Sequence, residues 1–386
     1  MKYKFVDICA GIGGFHQVMT RHGGECVFAS EVDPIPASVY KKNYGIDALN
    51  DISKVKVEDI PKHDVLCAGF PCVAFSKAGN RLGFDDDRGQ IFFYIAKILE
   101  YHKPKYLVLE NVKNLVSHDS GNTWRVICSI LKEIGYGITE TPILCNPIQL
   151  GIPHNRERVI ILGVYGESAL KIENDLPKNR CKNIFEDFEL DKDVDKKYYI
   201  SKQEETSINM WDEFIRGIKE KYISFPVFGE YLKEMTDAEK EKVVKWKQPF
   251  IPKIENLYLN NKEFIDEWLK KYKYFENVLH SHSILEWQAK TDINNIWEGV
   301  LQFRPSGIRV KRVESFPTIV SMNYTQIPII GPLHRRLTPN EVRKLQGFSD
   351  DFKYDNVDKY AYKQFGNAIN VDIIDYFVTK LFKEYG

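Results

Sequence analysis

Short apolar runs alternate with helix-compatible segments along the first 165 residues of the chain. Several of these runs stop at an acidic residue or at a glycine-rich turn. Such alternation is typical of βαβ units, so it predicts an α/β fold with a doubly wound, mainly parallel sheet. The predicted strands are residues 5–9, 26–30, 64–70, 106–109 and 159–164, and the predicted helices include residues 15–22, 91–101 and 122–134.

The alternation ends beyond Tyr165, where the composition becomes charged and aromatic. Helices are predicted at residues 201–221, 237–247 and 261–274, and a last helix is predicted at residues 369–383. The change of pattern indicates a second, smaller domain. We place the domains at residues 1–170, 171–350 and 351–386, with the last segment returning to the first domain.

The composition is that of a folded globular protein. Of 386 residues, 43% are hydrophobic and 28% are charged, and the formal net charge is zero. Any polyanion-binding surface must therefore come from local clusters of Lys and Arg. Seven cysteines form no C-x-x-C pair and have no regular spacing with the nine histidines, so neither a disulfide framework nor a metal site is predicted. No apolar run has the length of a signal segment or a membrane span, which favours the cytosol.

A glycine-rich turn, residues 10–14, lies between the first predicted strand and helix. Glycines in this position let the backbone approach a ligand, and Glu31, about twenty residues further on, is placed to accept hydrogen bonds from ribose hydroxyls. Asp51 follows where the next strand of such a sheet would end. Together they favour an adenosine-containing cofactor, although Glu31 alone could simply cap a helix.

Cysteine, acid and arginine residues follow three other predicted strands. Cys72 comes directly after Pro71, at the edge where open α/β sheets bind ligands. Taken alone, a cysteine in this setting is more often a small buried hydrophobe than a nucleophile. Glu110 ends another strand. Arg156 and Arg158 flank the entrance of a third, where they could grip a phosphate or a base or be merely solvated. The glycine-rich loop at residues 76–90 is either a mobile lid or a plain surface loop.

Residues 303–312 carry four positive charges and no acid. A short basic stretch with a proline–glycine turn could contact DNA phosphates, although an exposed charged hairpin would have the same composition. The candidate DNA-binding residues are Arg304, Arg309, Lys311 and Arg312.

The motifs D-I-C-A-G-I-G-G, E-V-D, G-F-P-C, E-N-V, R-E-R, R-R-L-T-P-N-E and Q-F-G-N occur in this order. In order and separation they resemble the DNA cytosine-5 methyltransferases, especially those of bacterial restriction-modification systems. The resemblance covers about residues 5–165 and 334–380. It implies a Rossmann-like S-adenosylmethionine-dependent sheet, with the middle of the chain as the target-recognition domain.

The resemblance implies specific catalytic roles. Cys72 is the nucleophile that adds to C6 of a flipped cytosine, and Glu110 hydrogen-bonds or protonates N3 of the ring. Asn111 fixes the orientation of Glu110, whereas Arg158, with Arg156 nearby, holds the base and its phosphate. The residues at cofactor-pocket positions are Cys9, Gly11, Gly13, Glu31, Val32, Asp51, Ile52, Pro71, Ile91 and Asn367.

Three departures from the family pattern are Cys9 in place of Phe, Val73 in place of Gln, and Asn340 in place of Arg. None removes an assigned chemical role. The implied partner is double-stranded DNA, with a cognate restriction endonuclease possible, for a monomeric enzyme in the bacterial cytoplasm. The rival interpretations are an RNA cytosine-5 methyltransferase, an inactive binding module and a dinucleotide-dependent oxidoreductase. An oxidoreductase would not explain why Cys72, Glu110 and the arginine pair occur together, because its reaction assigns them no shared role.

Overall fold

The computed structural model describes residues 2–71, 90–177, 179–319 and 324–386, and it divides into two compact units. Unit 1 is Met1–Arg180 with Val342–Gly386, and unit 2 is Cys181–Glu341. Residues 171–180 and 342–350, which the sequence analysis assigned to the middle domain, belong to unit 1. These segments hold no change in hydrophobic pattern that could have marked the boundaries.

The first part of unit 1 alternates strands and helices, as the hydrophobic pattern predicts. Its strands are β1 (Tyr3–Ile8), β2 (Gly24–Ser30), β3 (Val65–Gly69), β4 (Tyr106–Val112), β5 (Tyr136–Ile138), β6 (Ile143–Cys145) and β7 (Arg158–Tyr165). Its helices are α1 (Gly14–Arg21), α2 (Pro34–Tyr44), α3 (Gln90–His102), α4 (Asn114–Ser117) and α5 (Asn122–Ile134). The signals at helix ends are local: Asp33 caps α2 by accepting a hydrogen bond from the Ile35 amide, and Gly135 ends α5 with φ of 108°.

Unit 2 combines short strands with helices. Its helices are α6 (Ile184–Asp187), α7 (Lys202–Gly217), α8 (Asp237–Lys242), α9 (Ile251–Asn260) and α10 (Lys262–Lys271). Its strands are β8 (Val227–Phe228), β9 (Ile284–Gln288), β10 (Val300–Arg304), β11 (Gly307–Lys311), β12 (Ile329–Ile330) and β13 (Arg335–Arg336), in the order β13-β12-β10-β11-β9-β8. Trp211 of α7 and Trp268 of α10 are almost fully buried at the centre of its apolar core.

The chain then passes through α11 (Pro339–Leu345), which contains the unit boundary, into α12 (Asp358–Asn367) and α13 (Val371–Tyr385). The Q-F-G-N motif therefore ends a helix that the hydrophobic pattern did not predict. The last helix begins two residues later than expected.

The sheet of unit 1 has the order β2-β1-β3-β4-β7-β5, and β6 also pairs with β7. Strands β1 to β4 are parallel, whereas β7 is antiparallel to β4. The four residues Val65–Ala68 of β3 are fully buried, as expected for a strand covered on both faces. Because the chain turns to opposite sides after β1, a crevice forms at the carboxyl ends of β1 and β3, where open α/β sheets bind ligands. The doubly wound, Rossmann-like fold is confirmed.

Candidate active site

A cavity of about 880 Å³ lies at the edge of the unit 1 sheet where β1, β3 and β4 end. It brings together most of the residues singled out in the sequence, including Gly11 from the start of the chain and Asn367 from α12. The candidate residues that line it are Cys9, Gly11, Glu31, Val32, Asp51, Ile52, Pro71, Ile91, Glu110, Asn111, Arg156, Arg158 and Asn367.

The glycine turn after β1 faces this cavity through Gly11. Gly11 has φ of 55°, and a Cβ at this position would meet nothing within 4 Å. Its amide donates a hydrogen bond of 2.9 Å to Oε2 of Glu31. The turn therefore leaves open space at its backbone, as a close approach by a ligand requires.

Gly13 has a different role from the one expected. Its φ is 87°, and a Cβ would lie 2.2 Å from the ring of Tyr44. The Tyr44 hydroxyl also donates to the Gly13 carbonyl at 2.9 Å. Gly13 is not among the cavity-lining residues, so it serves the packing of α2 against the turn.

Two backbone amides hold the Glu31 carboxylate. Besides Gly11, the Asp33 amide donates to Oε1 at 2.8 Å, so each oxygen has one donor and keeps capacity for a second. Val32 is 70% exposed beside it and gives the cavity an apolar surface. Asp51 caps a short 3-10 turn through the Ser53 amide, and its hydrogen bond to the Ser53 hydroxyl lowers the pKa of its carboxyl.

Cys9 stands in the left-handed region, with φ of 55°. Burial, with smaller contributions from Glu31 and Asp7, raises the pKa of its thiol to about 12. The Cys9 thiol is therefore protonated at neutral pH and forms a small apolar part of the cavity wall.

Glu110 and Arg158 form an ion pair at the opposite end of the cavity. Arg158 Nε lies 3.0 Å from Glu110 Oε1, and the side chains are 15% and 12% exposed. Burial raises the pKa of the Glu110 carboxyl, against the opposing effects of Arg158 and Arg156. The pKa of this carboxyl is thus closer to neutral pH than the pKa of an exposed glutamate.

Asn111 ties β4 to the end of β3. Its Nδ2 donates to the Phe70 carbonyl at 2.9 Å, and its Oδ1 accepts from the Val112 amide at 2.8 Å. The hydrogen bond fixes the chain two residues before Cys72. Cys72 itself, Val73 and the loop assigned as a lid, apart from Gln90 at the start of α3, lie outside the described residues.

Arg156 is buried, and its guanidinium donates hydrogen bonds to two backbone carbonyls. Nη1 donates to the Gly366 carbonyl at 3.0 Å and Nη2 to the Ala368 carbonyl at 2.6 Å. These carbonyls flank Asn367. Arg156 therefore fixes the end of α12, a role that sequence spacing could not reveal because the two segments are far apart in the chain.

In unit 2, the candidate DNA-binding arginines already have acidic partners. Arg304 and Arg309 share Glu286, at 3.3 Å and 2.8 Å, because β11 pairs with β9 and brings this acid alongside them. Arg312 pairs with Asp292 and with Glu314. Lys311 is partly buried, which lowers the pKa of its ammonium group. The β10–β11 hairpin is therefore less positive than residues 303–312 alone suggest.

Sequence reasoning missed one side of the cavity, which α12 supplies. Tyr360, Lys363 and Gln364 line the cavity together with Asn367. Gln364 opens the Q-F-G-N motif but was not assigned to the pocket. Extending the motif backwards at helical spacing would have found Lys363 and Tyr360 on the same helical face. Lys363 Nζ also lies 3.1 Å from Asp33 Oδ2.

Metal-binding clusters and membrane-spanning helices are both absent from the described residues. No cluster of three or more His, Cys, Asp or Glu side chains there is arranged to hold a metal ion. No helix within the same residues combines the length and apolar character needed to cross a bilayer.

Comparisons with known proteins agree on one family. The profile of the C-5 cytosine-specific DNA methylases matches residues 3–383. The type II methyltransferase M.HpaII of Haemophilus parainfluenzae is 32% identical over 390 residues, covering 100% of this chain and 90% of the relative. M.AluI of Cellulosimicrobium cellulans is 28% identical, covering 97% and 90%.

Solved structures share the fold. The methyltransferase EhMeth of Entamoeba histolytica has a TM-score of 0.58 at 17% identity, covering 100% of this chain and 99% of that one. The Dnmt2 methyltransferase of S. pombe has a TM-score of 0.53 at 18% identity, with 99% of each chain covered. The chain belongs to the C-5 cytosine-specific DNA methylases, and it is a DNA cytosine-5 methyltransferase of the restriction-modification type.

Proposed function

We propose that this enzyme flips a target cytosine out of duplex DNA and methylates its C5, with Cys72 as the nucleophile and S-adenosylmethionine as the methyl donor. The observation that carries the proposal is the position of Glu110. The carboxyl of Glu110 is buried and its pKa is raised. Glu110 also lines the same cavity as Gly11 of the glycine turn and Glu31. An acid and a cofactor cradle in one cavity are what methyl transfer to a cytosine ring requires.

The chemistry asks for an acid because C6 of cytosine is a poor electrophile. Protonated Glu110 donates to N3 and withdraws electrons from the ring while the Cys72 thiolate forms a bond to C6. C5 then carries the electron density that takes up the methyl group. A base then takes up the C5 proton, the electrons of that C–H bond expel Cys72 as the thiolate, and N3 returns its proton to Glu110, which restores the aromatic ring. General acid assistance of this kind contributes roughly 10²- to 10⁴-fold in rate.

Flipping is needed because C5 and C6 are stacked inside a duplex. Extrusion of the base costs a few kcal/mol, about as much as a small number of pocket contacts can return. Arg158 lines the cavity and pairs directly with Glu110. We assign Arg158 to the base, and we assign Arg156 to positioning because the Gly366 and Ala368 carbonyls engage its guanidinium.

The cavity fits S-adenosylmethionine, which supplies an electrophilic methyl group when bound. Glu31 has free acceptor capacity for ribose hydroxyls, and Gly11 leaves room beside its backbone. Val32 and Ile52 offer apolar surface for the adenine of the cofactor. The remaining residues assigned to this pocket are Cys9, Asp51, Pro71, Ile91 and Asn367.

Unit 2 is the proposed target-recognition domain, and the β10–β11 hairpin is its proposed phosphate contact. The name of M.HpaII, a type II methyltransferase, supports a role in protecting DNA from a cognate endonuclease. We further propose that the enzyme acts as a monomer in the bacterial cytoplasm.

Transfer of labelled methyl groups to defined duplexes tests the mechanism. Cys72→Ser should abolish transfer to cytosine, and a duplex with 5-fluorocytosine at the target should trap a covalent adduct with the parent enzyme. Cys128→Ser is the matched control, because Cys128 lies on α5 and does not line the cavity. Methylation of adenine, or full activity of Cys72→Ser, contradicts the proposal.

A further inference from the structure

One face of α12 forms a wall of the cavity. Tyr360, Lys363, Gln364 and Asn367 all line it, at spacings of three, four and seven residues from the first. Side chains at these spacings lie above one another on a helix. The wall therefore offers a continuous row of polar side chains, of which Gln364 and Asn367 are the first and last residues of the Q-F-G-N motif and only Asn367 was assigned to the cofactor pocket.

Gln364 is the residue of this row with an unmet chemical requirement. Gln364 is only 5% exposed, and neither its Oε1 nor its Nε2 has a hydrogen-bond partner among the residues that the structure describes. A buried carboxamide normally finds partners, because removing its donors and acceptor from water without replacement is costly. A buried, unpaired carboxamide on a cavity wall is suited to a ligand.

The missing partners do not result from a loose helix end. Arg156 binds the Gly366 and Ala368 carbonyls, and Gln346 Nε2 binds the Phe365 carbonyl. The Ala368 amide in turn donates to the Gln364 carbonyl at 2.9 Å. The backbone around Gln364 is thus held in place, so its side chain is preorganised for a ligand rather than free to seek another partner.

The position of Gln364 along the row indicates which part of the ligand it meets. Lys363 pairs with Asp33, whose amide holds Glu31 at the proposed nucleoside end. Asn367 lies between the carbonyls held by Arg156, whose charge acts on Glu110 at the proposed reacting end. Gln364 falls between Lys363 and Asn367 along the axis of α12, and therefore between the side chains that mark these two ends.

We propose that Gln364 binds the α-amino-acid portion of the methyl donor, an inference that rests on the proposed S-adenosylmethionine site. This portion carries a carboxylate, which accepts hydrogen bonds, and an ammonium group, which donates them. A carboxamide has two N–H donors and one oxygen acceptor, so one side chain serves both groups.

Calorimetric titration of Gln364→Met with two ligands tests the contact. S-adenosylhomocysteine contains the amino-acid portion, whereas 5′-methylthioadenosine keeps the nucleoside and sulfur but lacks it. The affinity for S-adenosylhomocysteine should fall about tenfold, the loss expected for one good hydrogen-bonding group, while that for 5′-methylthioadenosine stays the same. Lys359→Ala, an exposed change on α12 outside the cavity lining, should alter neither affinity.

The unliganded proteins supply a second readout. Because the carboxamide is unpaired without ligand, Gln364→Met should melt at the same temperature as the parent or higher. Gln364→Glu, which loses the donors and adds a charge of the same sign as the ligand carboxylate, should weaken S-adenosylhomocysteine binding further.

Three results would overturn the proposal: unchanged affinity of Gln364→Met for S-adenosylhomocysteine, equal losses for both ligands, or a lower melting temperature of this variant without ligand. Failure of the parent protein to bind S-adenosylhomocysteine is a separate outcome. It would overturn the proposed cofactor site and not merely the role of Gln364.

Discussion

Glu110 and Arg158 face each other from adjacent antiparallel strands, with Arg158 Nε 3.0 Å from Glu110 Oε1. Burial raises the pKa of the carboxyl, and the guanidinium lowers it. The balance of these two effects sets the pH at which Glu110 loses its proton. In the proposed mechanism, Arg158 therefore influences the reaction through its effect on the pKa of Glu110 as well as through its contact with the cytosine.

The pH profile of methylation should report this balance. If protonated Glu110 is the active form, the single-turnover rate is retained below its raised pKa and falls as the pH rises through it. Arg158→Ala removes the opposing charge, so the fall should move to higher pH even though the rate is lower throughout. Glu110→Gln should lower the single-turnover rate roughly 10²- to 10⁴-fold. It should also abolish the fall of this rate at alkaline pH.

Glu157→Gln is the control for this series, because Glu157 is exposed and pairs with Lys113 instead. It should leave the profile unchanged. An Arg158→Ala profile whose alkaline fall keeps its position would exclude Glu110 as the titrating group.

Arg156→Ala should weaken both folding and cofactor binding. One buried and one partly buried carbonyl lose a charged donor, so the free energy of unfolding should fall by about 3 kcal/mol. The affinity for S-adenosylhomocysteine should fall as well, because Asn367 lies between those carbonyls. Urea denaturation and calorimetric titration measure the two effects. Arg125→Ala, an exposed change on α5, should affect neither, and a stable Arg156→Ala protein with normal affinity would contradict the positioning role.

Gly11→Ala and Gly13→Ala should have opposite signatures. At Gly11 the new Cβ enters open cavity space, so unfolding free energy falls by only about 1 kcal/mol, while ligand affinity falls roughly tenfold. At Gly13 the Cβ meets the Tyr44 ring, so stability falls by about 3 kcal/mol. Denaturation and titration of the two variants side by side provide the comparison. Equal effects on affinity would show that the two glycines do not differ in role.

Arg309 provides a test of the proposed DNA contact. If it contacts a phosphate, Arg309→Ala should reduce the slope of log affinity against log salt by about 1. Glu286→Gln removes the acid that Arg304 and Arg309 share, so it should raise affinity and steepen that slope. Fluorescence anisotropy with labelled duplex at several salt concentrations measures both. A less stable Arg309→Ala protein with an unchanged salt slope would mean that Arg309 stabilises the hairpin and does not contact DNA.

The sequence alone predicted the parts of the fold whose signal is local. Strands β3 and β4 are buried on both faces, so their apolar runs stand out, and α5 has clear ends and one apolar face. Strand β13 could not be found in this way, because it consists of Arg335 and Arg336, whose charges are buried by pairing with Glu341 and with the distant Glu204.

In the site as well, the sequence predicted the features whose signal is local. Acids and glycines at strand ends are visible in the sequence, because topology brings such ends to one edge of the sheet. The role of Gly13 depends on Tyr44, and that of Arg156 depends on α12, so neither follows from neighbouring residues. Long-range packing decided both.

The wall that α12 adds to the cavity has a consequence for biosynthesis. A ribosome makes the glycine turn, Glu31 and Glu110 early, but it makes all of unit 2, residues 181–341, before α12 emerges. The nascent chain therefore holds an incomplete cofactor cavity for most of its synthesis. If the cavity binds the methyl donor as proposed, binding can begin only after unit 2 has been made.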